Sequence, residues 1–173
     1  MSSMTLLFIL INTQIVKANS IQIGSWVIVN DTVMGGVSHS IVQFEDRDLV
    51  FKGYLSLKNN GGFASSRAVL AVSSDQTYGT VRLCVVGDGR DFKLRFRTSR
   101  RFDGIAYSAN FSTIKGQPTC IDFKESDFKP TFRGFEVASA PKFTFANVRQ
   151  IGLMIADKKE GEFELRVQSL SFF

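Results

Sequence analysis

"DFKLRFRT", residues 91–98, alternates apolar and charged side chains at every position from Asp91 to Arg97. A period of two puts the apolar side chains on one face of an extended chain and the charged ones on the other, which is the pattern of a half-buried strand. The same alternation recurs in four other runs: "DLVFKGYLSL" (48–57), "VRLCVV" (81–86), "AYSANFST" (106–113) and "EFELRVQSLSF" (162–172). These runs predict an all-β protein of antiparallel strands.

Turn-forming residues separate these runs and indicate the architecture. Clusters that contain Gly, with Asn, Asp or Pro in most of them, stand at residues 59–62, 87–89, 115–118 and 159–161. No window of 11 residues has convincing helical spacing, and "ESDFKP" (125–130) allows a single turn before Pro130 ends it. Many short strands at regular spacing predict a sandwich or barrel, and a two-sheet jelly-roll β-sandwich fits the length.

Length and composition fit one folded domain. The chain has 173 residues, of which 44% are hydrophobic and 21% charged, so it can bury a core of its own. We expect residues 19–173 to form a single domain. Nine large apolar side chains are expected to be largely buried in it: Trp26, Phe51, Leu55, Phe63, Leu83, Phe96, Phe111, Phe123 and Leu165.

The first 18 residues resemble a secretory signal peptide. "MTLLFILI" (4–11) is apolar but too short to span a bilayer as a helix, and Val16 and Ala18 precede a possible cleavage site before Asn19. This pattern predicts export to the periplasm or cell envelope. A mitochondrial or cytoplasmic location is the alternative, with the apolar run as a buried N-terminal strand.

Net charge and cysteine content are compatible with several partners and compartments. The formal net charge of +5 suits an acidic partner or an anionic surface without identifying either. Cys84 and Cys120 can pair if the protein is exported, whereas in a reducing compartment they are ordinary thiols.

"NDTVMGGVS" (30–38) has the glycines of a phosphate loop but neither the Lys nor the helix that such a loop needs. We therefore interpret Gly35 and Gly36 as a bulge or close backbone approach within a strand. Ser38 and His39 are neighbours in that strand and should point to opposite faces, which argues against a nucleophile and base. We expect Asp31 to tie down a neighbouring loop, with Arg67 as its partner.

The sequence contains no complete catalytic or metal-binding constellation. His39 is the only histidine, and no Gly-x-Ser-x-Gly elbow occurs. One histidine and two distant cysteines cannot build a zinc site without carboxylates, whereas a calcium ion held by loop carbonyls stays open. We predict no catalytic residues, no metal and no cofactor. An enzyme would need a cleft that gathers Asp31, Arg67 and Asp88.

The charged face of residues 91–98 forms a basic stripe of Lys93, Arg95 and Arg97. It is either a solvated face that protects an edge from aggregation or a contact for an acidic protein, phospholipid headgroups or a polyanion. Nucleic-acid binding favours exposed aromatics among the charges, and here the aromatics alternate inward, so no nucleic-acid partner is predicted. Sugar-binding faces use exposed Trp or Tyr; this chain has one Trp and three Tyr, which weakens the glycan interpretation without removing it.

Five motifs follow one another along the chain: "W-x3-NDTVMGGVS", "F-x-G-x-LSLKNNGGFASSR", "GDGRDFKLRFR", "DFKPTFRG" and "IGLMIADKKEGEFELRVQSL". In this order they are similar to the complex I intermediate-associated protein 30 family, from Trp26 to about Leu170. The resemblance implies a galactose-binding-like jelly-roll β-sandwich. The mitochondrial members of that family are assembly chaperones of respiratory complex I and are not known as enzymes, so the resemblance implies a non-enzymatic assembly role.

The resemblance gives binding positions by motif. They are Asp31, Met34, Gly35, Gly36 and Ser38 in the first motif, Asn60, Gly61, Gly62, Phe63 and Arg67 in the second, and Asp88, Gly89 and Arg90 in the third. The expected function is a non-enzymatic module that binds a protein client, with complex I subunits or assembly intermediates as candidates and peripheral membrane association open. The alternative is a glycan- or small-ligand-binding module of the cell envelope.

Overall fold

A computed structural model describes residues 22–71 and 77–173, and this part of the chain is built from twelve strands. In chain order they are β1 (Gln22–Ile28), β2 (His39–Glu45), β3 (Asp48–Leu55), β4 (Ala64–Ala71), β5 (Val81–Gly87), β6 (Asp91–Arg97), β7 (Ala106–Ser112), β8 (Pro118–Phe123), β9 (Lys129–Phe132), β10 (Phe135–Glu136), β11 (Gln150–Ile155) and β12 (Gly161–Phe172). Four short 3-10 turns lie between them: Asp31–Met34, Lys58–Asn60, Glu125–Asp127 and Phe145–Asn147. The predicted signal peptide, residues 1–18, lies outside the described residues.

The strands form two antiparallel sheets packed face to face. The seven-stranded sheet has the order β1-β4-β11-β6-β7-β9-β10, and the five-stranded sheet has the order β2-β3-β12-β5-β8. The predicted all-β jelly-roll β-sandwich is therefore confirmed, and the alternating runs 81–86, 91–98, 106–113 and 162–172 are β5, β6, β7 and β12. Within the described ranges, no helix is long and apolar enough to cross a membrane.

The core lies between the sheets and is rich in phenylalanine. In β6 the predicted alternation holds, because Phe92, Leu94 and Phe96 are buried while the basic residues point to the opposite face. The Phe96 ring lies 5.2–6.2 Å from four other phenylalanine rings, namely Phe128, Phe143, Phe145 and Phe172. These tilted, stacked and edge-to-face pairs are favourable ring geometries, so this cluster joins the two sheets through close packing.

Seven of the nine predicted core residues are buried, but the predictions for Trp26 and Phe63 are wrong, since both are only half-buried. Trp26 lies on β1, an edge strand whose pairing with β4 shifts register between Ile23 and Trp26, so the second sheet covers it incompletely. Phe63 lies just before β4 and lines a surface groove instead of the core.

A disulfide joins Cys84 to Cys120. The two residues are direct cross-strand partners on β5 and β8, which are neighbours in the five-stranded sheet. The bridge therefore fastens edge strand β8 to the body of the sheet and answers the pairing question that the sequence left open.

Candidate binding groove

A groove of about 530 Å³ runs over the outer face of the seven-stranded sheet. The charged residues that line it are Arg67, Arg95, Arg97, Asp103 and Arg133, and its large apolar lining residues are Val29, Val33, Met34, Phe63, Phe102, Phe132 and Met154. The groove thus combines a strongly basic floor with apolar walls.

The floor results from strand register. Gly152 of β11 is the cross-strand partner of both Arg67 on β4 and Arg95 on β6, so the two arginines flank a position without a side chain. A Cβ at Gly152 would lie 2.9 Å from the Ser66 carbonyl oxygen and 3.6–3.7 Å from the Cβ atoms of both arginines. The glycine therefore leaves the space between two guanidinium-bearing side chains open.

Burial and mutual repulsion act on these arginines. Desolvation, with the neighbouring Arg67 charge, lowers the pKa of Arg95 to about 10. Desolvation, with the Arg95 and Arg67 charges, lowers the pKa of Arg97 to about 10, and the Asp103 charge opposes that shift. Burial also lowers the pKa of Arg67, and Asp103 opposes that shift. All three side chains stay charged at neutral pH, so the floor is a cluster of partly desolvated cations.

The interpretation of the basic stripe as a freely solvated face is wrong, because Lys93, Arg95 and Arg97 are all half-buried. Arg95 and Arg97 line the groove together with residues 102–104 of the loop 98–105 and residues 132–134 at the junction of β9 and β10. Lys93 lies outside the groove, in a shallower depression beside Asn110 and Asp157.

One wall of the groove is the loop 98–105, which two side chains hold against the sheet. Arg67 donates from Nη1 to the Phe102 carbonyl at 2.6 Å and stacks its guanidinium 3.9 Å from the centre of the Phe102 ring. The Gln150 side-chain amide donates to the carbonyls of Ser99 and Arg101 at 2.7 and 3.0 Å. Phe102 itself stays 67% exposed at the groove edge.

The opposite wall comes from the 3-10 turn Asp31–Met34, which leaves Val33 and Met34 about two-thirds exposed. The turn ends at Gly35, whose φ of 88° lies in the left-handed region that glycine adopts without strain. The predicted strand with a bulge is therefore wrong at this point: the glycines end a tight turn, and β2 starts only at His39.

The buried carboxylate of Asp31 holds this wall in place. It accepts hydrogen bonds from the Ser38 N–H at 2.9 Å, the Ser38 hydroxyl at 2.6 Å, the Gly62 N–H at 2.7 Å and the Phe63 N–H at 3.3 Å. Burial acts to raise the pKa of the Asp31 carboxyl, but these hydrogen bonds outweigh burial, so that pKa lies below its ordinary value. Asp31 does tie down a neighbouring loop, but through Ser38, Gly62 and Phe63, not through Arg67.

Two glycines make room for this carboxylate. A Cβ at Gly36 would overlap the Asp31 side chain, and one at Gly61 would lie 2.6 Å from its Oδ2 atom. A close approach does occur at Gly36, but the backbone there meets the Asp31 side chain and lies outside any strand, unlike the prediction. Ser38 is buried beside the carboxylate while His39 is exposed, so the predicted divergence of these two side chains is confirmed.

The third motif forms a separate clasp. Arg90 makes a bidentate ion pair with Asp157 at 2.7 and 2.9 Å, and the Asp88 carboxylate accepts from the N–H groups of Arg90 and Glu164 at 3.0 and 2.8 Å. With its neighbour Gly89, whose φ is 93°, the clasp ties the β5–β6 turn to the end of β11 and the start of β12.

The structure therefore brings only some of the predicted site residues together. Met34, Phe63, Arg67, Arg95 and Arg97 line the groove. The other positions of the first two motifs form its supporting wall: Asp31, Gly35, Gly36, Ser38, Asn60, Gly61 and Gly62.

The cleft that an enzyme was expected to need does not form. Asp31 is fully buried, Arg67 lines the groove, and Asp88 lines a different depression beside His39 and Tyr54. Among residues 22–71 and 77–173, no group of three His, Cys, Asp or Glu side chains is arranged to hold a metal ion.

Sequence reasoning did not nominate Val33, Phe102, Asp103, Phe132 or Arg133, all of which line the groove. One signal was present for three of them, because Val33 belongs to the "NDTVMGGVS" motif and Phe132 and Arg133 belong to the "DFKPTFRG" motif. The contribution of loop 98–105 was not visible in the alternation, since this loop interrupts it.

A second cleft, of about 440 Å³, opens between β1 and β2 and is lined by Trp26, Phe44, Leu49 and Leu170 among others. Among the described residues, Arg47 is its one charged lining residue and none of the nominated motif positions contributes to it. The groove on the seven-stranded sheet is therefore the stronger candidate for a binding site.

The strand order and the packing of the sheets define a galactose-binding-like jelly-roll β-sandwich, and solved structures agree with this class. The family 11 carbohydrate-binding module from Clostridium thermocellum, in complex with a beta-1,3-1,4-mixed-linked tetrasaccharide, aligns with a TM-score of 0.59 at 10% identity, over 88% of this chain and 98% of that one. The family 11 module of the cellulosomal cellulase Lic26A-Cel5E of Clostridium thermocellum aligns with a TM-score of 0.57 at 10% identity, over 84% and 88%. At such low identity these likenesses concern the fold alone.

The family follows from a second comparison. The family model described as Complex I intermediate-associated protein 30 (CIA30) matches residues 15–167. This chain belongs to the CIA30 family, as the five ordered motifs predict. No curated protein matches it significantly.

Proposed function

We propose that this protein is a non-catalytic binding module that holds a protein client in the groove, in the role of an assembly factor. The observation that carries the proposal is the make-up of the groove, in which Val33, Met34 and Phe102 stay about two-thirds exposed above a floor of arginines. Met, Phe and Arg are enriched at protein–protein interfaces, and apolar side chains clustered at the edge of a cleft mark sites of partner binding.

The family supports a protein as the client, and its description names complex I intermediates. The more specific proposal is that the client is a complex I subunit or assembly intermediate. Deleting the gene should then lower the amount and activity of assembled complex I. Unchanged complex I would remove this version and leave the client-binding module in place.

We propose further that the protein acts in the cell envelope. The signal-like residues 1–18 support export, and the Cys84–Cys120 disulfide fits an oxidising compartment. Cell fractionation with mass spectrometry of the mature N-terminus tests this, since an exported protein should begin near Asn19. Recovery of the uncleaved chain from the cytoplasm would contradict it.

Photo-crosslinking in the native cell tests the groove as the client site. A photoreactive phenylalanine analogue replaces Phe102 at the groove edge or, as the matched control, Phe44, which is 51% exposed on the five-stranded sheet. The proposal predicts a discrete crosslinked client from position 102 that is absent from position 44. The same crosslinked species from both positions, or none from position 102, would contradict it.

Glycan binding is the second candidate, supported by the fold in general terms only. No Trp or Tyr is among the described residues that line the groove, although stacking on sugar rings uses these side chains. A glycan array that detects millimolar binders would yield hits if this candidate is right and none if the protein-client proposal is.

A further inference from the structure

We propose that the arginine floor of the groove is an oxyanion site that takes a carboxylate of the client. The groove then selects peptide segments in which an acidic residue has apolar neighbours. This inference rests on the proposed function, because it names the chemistry of the segment that the groove holds.

The first argument is that two hydrogen-bond donors on the floor have no acceptor among the described residues. Arg67 is only 7% exposed, and its Nη2 atom is buried without a partner within the described residues. The Nε atom of Arg97 is likewise buried without a partner within the described residues. Arg95 donates from Nε to the Ser108 hydroxyl at 3.1 Å, whereas its Nη1 donates only to the Met154 sulfur at 3.3 Å, which is a weak acceptor. Buried polar groups are nearly always paired, so this cluster indicates a ligand that supplies oxygen acceptors.

The second argument is charge. Four arginines and one aspartate line the groove, and the aspartate, Asp103, lies at its edge. Asp103 pairs with Arg133 at 2.9 Å, and its side chain is 60% exposed. Asp103 partly offsets the charges of Arg67 and Arg97, but in the described part of the chain no carboxylate forms an ion pair with the three arginines of the floor, and these repel one another. An entering anion would relieve that repulsion.

The third argument is shape. Gly152 leaves a gap between Arg67 and Arg95, so an anion can lie between two guanidinium-bearing side chains. A guanidinium group presents paired N–H donors that match carboxylate and phosphate oxygens alike. The arginines of the floor therefore favour an oxyanion as ligand, and the walls determine which kind of molecule bears that oxyanion.

The walls favour a carboxylate on a peptide. Val33, Met34 and Phe102 surround the basic floor with exposed apolar surface, which suits side chains on either side of an acidic residue. A free anion would leave these three side chains in water. A sugar acid would find no Trp or Tyr to stack on among the described residues of the groove.

Peptide binding by fluorescence anisotropy, with the full chain at two salt concentrations, tests the inference. The probe is a labelled decapeptide with one Glu between Leu and Phe residues, compared with the same peptide carrying Gln or phosphoserine instead. A single well-formed charged contact predicts that the Glu peptide binds about tenfold more tightly than the Gln peptide, and that added salt narrows this difference.

Protein variants locate the contact. Arg95→Gln and Arg97→Gln should each weaken the Glu peptide about tenfold, and Arg95→Lys, which keeps the charge but loses the fork, about threefold. Arg82→Gln removes the same charge from the five-stranded sheet, where Arg82 pairs with Asp122, and should leave affinity unchanged. Melting curves of all variants exclude unfolding as the cause of weaker binding.

Several results would overturn the inference. Equal affinity for the Glu and Gln peptides would show that the groove has no anion site. If Arg82→Gln weakens binding of the Glu peptide as much as Arg95→Gln does, the net charge of the protein, and not the groove, accounts for the binding. If the phosphoserine peptide binds more tightly than the Glu peptide, the ligand is a phosphate and not a carboxylate. If an oligouronate displaces the labelled Glu peptide at a lower concentration than the unlabelled Glu peptide does, the ligand is a sugar acid.

The inference and the proposed function can fail separately. If the client crosslinks at position 102 but the Glu peptide shows no preference over Gln, the client role stands and the carboxylate site is wrong. If the Glu peptide binds as predicted but crosslinking at position 102 yields no client, the oxyanion site stands and the client role is wrong.

Discussion

Replacing Asp31 with Asn tests how the family's first motif shapes the groove. Asp31 is fully buried, and its two carboxylate oxygens accept four hydrogen bonds from Ser38, Gly62 and Phe63. Asn keeps the shape but has one oxygen. If that oxygen takes the Oδ2 position, the amide nitrogen faces the Ser38 N–H, so two donors oppose each other.

The expected loss follows from these contacts. A hydrogen bond to a charged group contributes about 1.5–3 kcal/mol, and a buried donor left without an acceptor costs about 1–3 kcal/mol. Because such terms are not fully additive, we expect Asp31→Asn to lower the free energy of unfolding by about 3 kcal/mol. For a domain of this size that lowers the melting temperature by roughly 6–12 °C.

Guanidinium unfolding followed by tryptophan fluorescence measures this loss, since Trp26 is the only tryptophan. Asp91→Asn, at an exposed position on β6, is the matched control and should be neutral. Because the folded-state pKa of Asp31 lies below that of an unfolded aspartate, its stabilisation is present above pH of about 3.9 and is lost as the pH falls further. The difference between wild type and Asp31→Asn should therefore shrink below that pH.

One result would refute this account of Asp31. If Asp31→Asn unfolds at the wild-type denaturant concentration but no longer binds the client, the carboxylate contacts a ligand instead of holding the wall. Equal loss in the Asp91→Asn control would show that the effect belongs to net charge.

Three further predictions concern the rest of the sandwich. Asp157→Asn removes the charged partner of Arg90, and the side chains of this pair are only 1% exposed for Asp157 and 11% for Arg90. The change should lower the free energy of unfolding in urea by about 3–5 kcal/mol. A loss below about 1 kcal/mol would contradict the role of the clasp. Replacing Cys84 and Cys120 together with Ser opens a link across 36 positions and should destabilise by about 4 kcal/mol on chain-entropy grounds; an unchanged denaturation midpoint would contradict the bridge. Phe96→Ala should lower the free energy of unfolding by about 3–5 kcal/mol, because the ring packs among four others, and a smaller loss would mean that the cluster refills the space.

Strand alternation predicted the fold because a buried sheet face imposes a period of two on the sequence. Phe92, Leu94 and Phe96 illustrate this: their spacing alone assigns them to the core. The same rule failed at Trp26, because an edge strand is covered less completely than a central one.

The candidate site was less accessible to sequence reasoning for a physical reason. Alternation assigns Arg95 and Arg97 to the outer face, but it does not tell which loops stand over that face. Phe102 lies in a loop whose course depends on tertiary contacts, such as the hydrogen bond from Arg67 to the Phe102 carbonyl, and Phe132 ends β9, two strands away from β6 in the sheet. The partners of Asp31 at Gly62 and Phe63 likewise lie more than 30 positions away.

The most direct test of the central claim compares client affinity between two matched changes. Met34→Ser with Phe102→Ser removes the exposed apolar side chains from both walls of the groove, whereas Phe44→Ser removes a similar side chain from the other sheet. Titration calorimetry with the purified client that crosslinking identifies should show at least a tenfold loss of affinity for the groove variant. The reason is that burying two such side chains contributes more than about 1.4 kcal/mol to binding. The Phe44→Ser variant should bind as wild type does. Equal affinity of the groove variant and wild type, with both folded, would contradict the claim that the client lies in the groove.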